Sequence, residues 1–248
     1  MTVPPNDFVN NMLYLTTPCV IFQDDEEERM KYKAILFDMD GTVLDTLRDL
    51  CFAASRALEE FGFEAISIDQ TRRRIGNGSR RLLELSVPEG TDPQVLDRLL
   101  AWYLPYYNAH ANDTTAPYPG ITELLFSLKE KGFALAVVSN KPDRTVKELA
   151  GIHFPGLLAI AVGENEAGGV RRKPWPDTLF TAAAALGVKP GECLYVGDSE
   201  VDVDTARNAG IDCVCVSWGF RSREALRAAG ATRIIDAPDE LIACVEGA

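Results

Sequence analysis

Histidine is almost missing from this chain: His110 and His153 are the only two in 248 residues. A phosphohistidine mechanism and a histidine-rich zinc centre are therefore close to excluded, and both histidines read as structural or surface residues. Positive charge is scarce too, with 25 Lys and Arg against 37 Asp and Glu and a net charge of −12. Nucleic-acid backbones are held by clustered Lys and Arg, so this balance argues against such a partner and for a small ligand. No apolar run is long enough to cross a bilayer. The nearest, Met12 to Phe22, is broken by Thr16, Thr17 and Pro18 and has no Lys or Arg before it. Neither a membrane anchor nor a secretory leader is expected, which points to the cytoplasm. No C-x-x-C pair occurs among Cys19, Cys51, Cys193, Cys213, Cys215 and Cys244. Their apolar surroundings suit reduced core thiols, and Cys213 and Cys215 share one face of a strand-like run.

What is present is an ordinary globular composition, 46% hydrophobic and 25% charged, enough for one large domain and a smaller one. Residues 1–30 are an extension of open role: either Met30 opens the folded chain, or the segment packs on the domain surface. From residue 33 short apolar runs alternate with helical stretches. The pattern predicts strands near 33–38, 133–139, 158–163, 192–197 and 212–216, and helices near 120–131, 142–150, 176–187, 199–209 and 238–246. This is an α/β chain with a Rossmann-like parallel sheet, whose ligand site lies at the carboxyl ends of the strands. Residues 47–114 lack strand character and read as an inserted α-helical domain, with helices near 46–61, 79–86 and 93–111. The core would then be 31–46 and 115–248, re-entered through the Pro-rich stretch Asp113 to Gly120.

Asp38-Met39-Asp40-Gly41-Thr42 directly follows the apolar run Ala34-Ile35-Leu36-Phe37. Residues i and i+2 of a strand share a side, and two carboxylates there repel unless a cation or a shared proton intervenes. A metal is suspected on that ground, and Gly41 and Thr42 supply a tight turn with backbone N–H groups suited to an anion. Three more motifs stand near strand or helix ends: Ser139-Asn140-Lys141, Lys173-Pro174, and Gly197-Asp198-Ser199-Glu200-Val201-Asp202. Each has a plainer reading alone, as a strand-end turn, a surface lysine or a helix N-cap.

In this order the four motifs resemble the haloacid dehalogenase superfamily over about residues 30–246, and the insertion point resembles members with a helical cap. Dehalogenases typically lack an acid at the position of Asp40, whereas phosphotransferases have one. Ile75-Gly76-Asn77-Gly78, Tyr118-Pro119-Gly120 and Val138-Ser139-Asn140-Lys141-Pro142 bring the resemblance closer to the phosphoglycolate phosphatase group. β-Phosphoglucomutases typically place a Glu before the metal-binding Asp of the fourth motif, where this chain has Gly197.

The resemblance implies a phosphatase that forms an aspartyl-phosphate. Asp38 would be the nucleophile and Asp40 the general acid and base. Mg²⁺ would be held by the Asp38 and Asp198 carboxylates and the Asp40 carbonyl, with Asp202 orienting a metal-bound water from the outer shell. Gly41, Thr42, Ser139, the Asn140 amide and Lys173 would bind the phosphoryl group or secure its turn, with Lys141 peripheral. The substrate would be a small phosphorylated metabolite, 2-phosphoglycolate first. A pyrophosphatase, a nucleotidase, a sugar-phosphate phosphatase or mutase, and a non-catalytic phosphate-ligand protein stay open. In the cap, Arg72, Arg73, Arg74, Arg80 and Arg81 crowd the Gly76-Asn77-Gly78 turn. Arg74 and Arg80, nearest it, are the candidates for gripping a substrate carboxylate. Trp175 reads as an aromatic beside a helix start, and Trp218-Gly219-Phe220 as a core loop. The sequence carries no signal of oligomeric state.

Overall fold

The computed structural model describes residue 1 and residues 30–247, so the expected extension, the Met12 to Phe22 run and Cys19 lie outside the described residues. The chain opens with strand β1 (Ala34–Asp38) and the short β2 (Leu44–Asp45), then runs through helices α1 (Leu47–Glu60), α2 (Ile68–Arg74), α3 (Gly78–Glu84) and α4 (Pro93–His110). It returns through β3 (Ala116–Pro117), α5 (Ile121–Glu130), β4 (Ala134–Pro142), α6 (Asp143–His153) and β5 (Ile160–Glu164). The remainder is α7 (Asp177–Leu186), β6 (Cys193–Gly197), α8 (Glu200–Ala209), β7 (Asp212–Val216), α9 (Arg223–Ala228), β8 (Ile234–Ile235) and α10 (Glu240–Glu246).

Among the described residues six strands form one parallel sheet in the order β5-β4-β1-β6-β7-β8. Every residue of β1 is buried, as a central strand covered on both faces must be. Alternate side chains feed two layers. Ile35, Phe37, Leu135, Val137, Leu194 and Val196 pack with Leu125 and Leu128 of α5, Leu149 of α6 and Leu241 of α10. Ala34, Leu36, Ala136 and Tyr195 face Leu179, Ala182 and Ala183 of α7 and Ala206 of α8, where small residues let helices approach the sheet.

The strand order reverses at β1, which has β4 on one side and β6 on the other. That makes the crevice beyond its carboxyl end a topological switch point. Register sharpens this: Asp38 lies level with Val138, and Phe37 with Val196, so Ser139 and Gly197-Asp198 emerge beside Asp38-Met39-Asp40.

Helices α1 to α4 share a core of their own, built from Leu47, Leu58, Leu82, Leu83, Leu99, Tyr103 and Tyr107. Two crossings join them to the sheet domain, and both are tied. β2 pairs antiparallel with β3. Asp49 of α1, 4% exposed, accepts from the backbone N–H and hydroxyl of both Thr114 and Thr115 on the return stretch.

The expected strands and helices recur within a few residues, and five elements are additions. Helix α2 carries no apolar periodicity and is set by its Ser67/Gln70 capping box. β2 and β3 are two residues each, too short to alternate. β8 and α9 are likewise short.

Candidate active site

Beyond β1 the chain turns tightly: Gly41 has φ +81° and donates its N–H to Leu44, while Leu44 donates back to Met39. This turn presents Asp38 and Asp40 with different surroundings. Asp38, 6% exposed, accepts from Met39 N–H at 2.7 Å and forms an ion pair with Lys173 Nζ at 2.7 Å. Asp40 accepts from the Thr46 hydroxyl at 2.5 Å, lies 2.7 Å from Lys141 Nζ and receives a long 3.4 Å bond from the Ser139 hydroxyl.

Asp198 stands beside Asp38 after β6. It accepts from the Thr42 hydroxyl at 3.3 Å and from Phe220 N–H at 2.6 Å. Gly41 and Gly219 press on it so closely that a Cβ on either would overlap its carboxylate. Asp202 is fully buried and accepts from Lys173 Nζ, the Tyr195 and Ser199 hydroxyls, and the N–H groups of Asp198 and Ser199. It thereby forms the capping box of α8 and also anchors Lys173.

The electrostatics show one cation too few. Burial, then Asp202, raises the Asp38 pKa well above the ordinary carboxylate range despite Lys173, with Asp198 and Asp40 adding to the rise. Burial, then Asp202, pushes Asp198 up to about 7 against Phe220 N–H, Lys173 and Arg221. Asp202 goes the other way: burial works to raise it, but Lys173 and the Ser199 and Tyr195 hydroxyls outweigh that and hold it low. Lys173 stays protonated because Asp202 and Asp38 overcome its burial. Oxygens of Asp38, Asp198 and Asp202 lie within 4.8 Å of one another. Two buried carboxylates held toward neutrality at one point are what a divalent cation would compensate, so the residues fit one. With five donors already on Asp202, Asp38 and Asp198 have the freer lone pairs.

A cavity of about 50 Å³ lies over these groups, lined on the helical side by Leu50, Ile75, Gly76, Gly78, Leu82 and Tyr107. Gly76 and Gly78 adopt φ of +113° and +82°, which only glycine takes readily. Asn77 lies instead in an outer crevice with Arg80 and Trp175. Asn140 bridges the two sides, giving its side-chain N–H groups to Gly76 O and Lys173 O and accepting from Lys173 N–H.

Four expectations need correction. Lys141 is not peripheral: it is buried against Asp40 because β4 runs on past Ser139 to Pro142. Arg74 and Arg80 do not line the cavity; the first donates to the Ser86 hydroxyl and the second pairs with Glu84 and Asp97. The arginine that does reach it is Arg221, held by Glu200 and by the carbonyls of Arg72 and Ile75. Phe220, expected in a core loop, lines the cavity and donates its N–H to Asp198. Arg221 and Phe220 follow a predicted strand end and were findable by that rule, whereas no local signal marks Tyr107 or Tyr195.

Residues 35–216 match the family described as haloacid dehalogenase-like hydrolase. A phosphoglycolate phosphatase of Xylella fastidiosa is 33% identical over 77% of this chain and 83% of its own length. An N-acetylmuramic acid 6-phosphate phosphatase of Pseudomonas aeruginosa is 31% identical over 87% of this chain and 95% of its own. A crystal structure from Lactobacillus delbrueckii subsp. bulgaricus superposes with TM-score 0.80 at 39% identity, covering 87% of this chain and 99% of that one. Together with the acidic cluster at the switch point of the sheet, these matches establish that the chain belongs to the haloacid dehalogenase-like hydrolases and is a phosphoric monoester hydrolase.

Proposed function

We propose that the protein is a Mg²⁺-dependent phosphatase that hydrolyses a small phosphomonoester through an aspartyl-phosphate, with 2-phosphoglycolate the first candidate. The observation that carries this reading is the contrast between Asp38 and Asp40, two carboxylates on one turn with separate partner sets. Asp38, beside Lys173, attacks phosphorus and takes the phosphoryl group. Asp40, steadied by Thr46 and Lys141, gives a proton to the leaving oxygen and later takes one from the attacking water. Lys173, the Ser139 hydroxyl, the Asn140 amide and the Gly41 turn face the phosphoryl oxygens, and Thr42 holds the turn against Asp198. The carboxylates of Asp38 and Asp198 and the carbonyl of Asp40 would hold Mg²⁺, which neutralises phosphoryl charge when bound. Asp202 acts from outside that set by fixing Lys173.

Residues 47–114 serve as the cap over residues 31–46 and 115–248, and their role is to exclude water and select substrate. The cavity between cap and core, about 50 Å³, is small, which favours a phosphoryl group on a short chain over a nucleotide. The free cysteines among the described residues suit a cytoplasmic setting. Among the described residues no helix is long and apolar enough to cross a membrane.

Phosphate release with Mg²⁺ from a panel including 2-phosphoglycolate, N-acetylmuramic acid 6-phosphate, pyrophosphate and nucleotides tests the reading. The expected result is highest kcat/KM on 2-phosphoglycolate, lost in a folded Asp38→Asn protein. Comparable turnover by that variant would reject the nucleophile, and preference for a larger ester would reject the substrate.

A further inference from the structure

Two donors in the cavity have no hydrogen-bond partner among the described residues. One is Lys141 Nζ, with its side chain 5% exposed. The other is the hydroxyl of Tyr107, a residue that is fully buried. Lys141 is ion-paired with Asp40 at 2.7 Å, and an ammonium with three donors keeps others free. The ammonium also sits 4.9 Å from the centroid of the Tyr107 ring, so β4 of the sheet domain and α4 of the insertion bring the pair together. A buried donor without an acceptor costs about 1–3 kcal/mol, more when charged. Two at one place mark where a ligand's acceptors go.

The other cations of the cavity are spoken for. Lys173 is bonded to Tyr195 and Asp202, and Arg221 to Glu200 and two carbonyls. Lys173 pairs with Asp38, the attacking carboxylate, whereas Lys141 pairs with Asp40, the acid that must stand beside the leaving group to protonate it. Leu50, Ile75 and Leu82 of the surrounding ceiling offer nothing to a polar tail, and besides the Ser79 hydroxyl the donors it can meet there are Lys141 and Tyr107.

We propose that Lys141 and Tyr107 hold a carboxylate on the leaving-group side of the substrate, and so select carboxylated phosphomonoesters in the role expected of the cap arginines. This rests on the phosphatase reading above and deepens it. An ammonium with free N–H groups is best satisfied by an anion, and a phenol O–H donates to the same carboxylate. Lys141 thus serves both ends of the reaction: it positions Asp40 and neutralises the substrate tail beside it. Because Tyr107 comes from the insertion, the tail is gripped only when both parts are closed on it.

The test compares kcat/KM of the Mg²⁺-loaded full chain for 2-phosphoglycolate and for its isostere with an uncharged tail, 2-phosphoglycolamide. The parent should prefer the acid at least about tenfold, since a site built around a ligand group rejects the analogue lacking it. Lys141→Met should cut the acid-to-amide ratio about tenfold. Damage transmitted through Asp40 falls on both substrates and cancels. Lys141→Arg should restore most of the ratio, and Tyr107→Phe should lower it several-fold. Equal use of acid and amide by the parent overturns the proposal even if no variant folds, as does an unchanged ratio in folded Lys141→Met. Failure of the phosphatase reading looks different: the parent then releases phosphate from neither compound, and both conclusions fall.

Discussion

Replacing Asp49 by Ala should loosen the junction between helices α1–α4 and the sheet without touching the cavity. Its Oδ1 accepts the Thr114 N–H and hydroxyl at 3.0 and 2.5 Å, and Oδ2 the Thr115 N–H and hydroxyl at 2.9 and 2.8 Å. Thr115 is only 7% exposed, so water cannot replace the lost acceptor there. Two orphaned donors make the expected loss about 4 kcal/mol, or about 8–16 °C in Tm for a chain of this size. Asp49→Asn keeps one acceptor oxygen and should fall between parent and Ala. Burial opposes the charge of Asp49, but the donors of Thr114 and Thr115 outweigh it and hold the folded pKa below normal. A group depressed on folding contributes its stability above its unfolded pKa and loses it as pH falls through the folded one. The gap between parent and Asp49→Ala should therefore be level from about pH 5 to 8 and narrow below about pH 4. Thermal melts of both proteins across that range measure it. A gap under about 2 °C at neutral pH, or one that widens on acidification, would refute the reasoning.

Tyr195→Phe removes the hydroxyl that donates to Asp202 at 2.6 Å and accepts from Lys173 at 3.1 Å, so a loss of about 1.5–3 kcal/mol in stability and a lowered kcat are expected; unchanged melting and rate would mean that Asp202 anchors Lys173 unaided. With Asp198 pushed up to about 7 by burial, and Asp38 raised as well, protons compete with metal, and Mg²⁺ affinity should weaken about tenfold per pH unit below 7. In the metal-free protein the same raised groups bind more protons folded than unfolded. Their contribution to stability should fall as pH rises from about 4 to 7, and calorimetric Mg²⁺ titrations at three pH values that give one affinity would contradict both statements. Gly219→Ala puts a Cβ into Asp198 and the Gly41 carbonyl, and should cost about 1–3 kcal/mol with weakened Mg²⁺ binding; a variant that binds Mg²⁺ like the parent would show that this loop yields freely.

Local chemistry explains what could be read in advance. An apolar run ending in Asp38-Met39-Asp40-Gly41-Thr42 is legible because burial, strand period and turn chemistry all act within a few residues. The same holds for Ser139 after β4 and for Gly197-Asp198 after β6, and parallel register then lines these ends up side by side. Helix α1 was legible from its apolar face, whereas α2 and the two-residue strands β2 and β3 were too short for a period to show.

Which donor meets which acceptor was decided only in three dimensions. Arg74 and Arg80 stand next to the Gly76-Asn77-Gly78 turn in sequence, yet each further helical residue rotates a side chain by about 100°, and the Ser86 hydroxyl engages the first while Glu84 and Asp97 capture the second. Arg221 reaches that turn from about 150 positions away because β7 ends at the same crevice. The resemblance leaves Lys141 peripheral, and the expected strand stops at 139. Extending β4 to Pro142 buries its ammonium between Asp40 and the Tyr107 ring instead. The sequence by itself determined the candidate site, since its residues cluster at strand ends; only the packing of the helical insertion on that site decided what else lines the cavity.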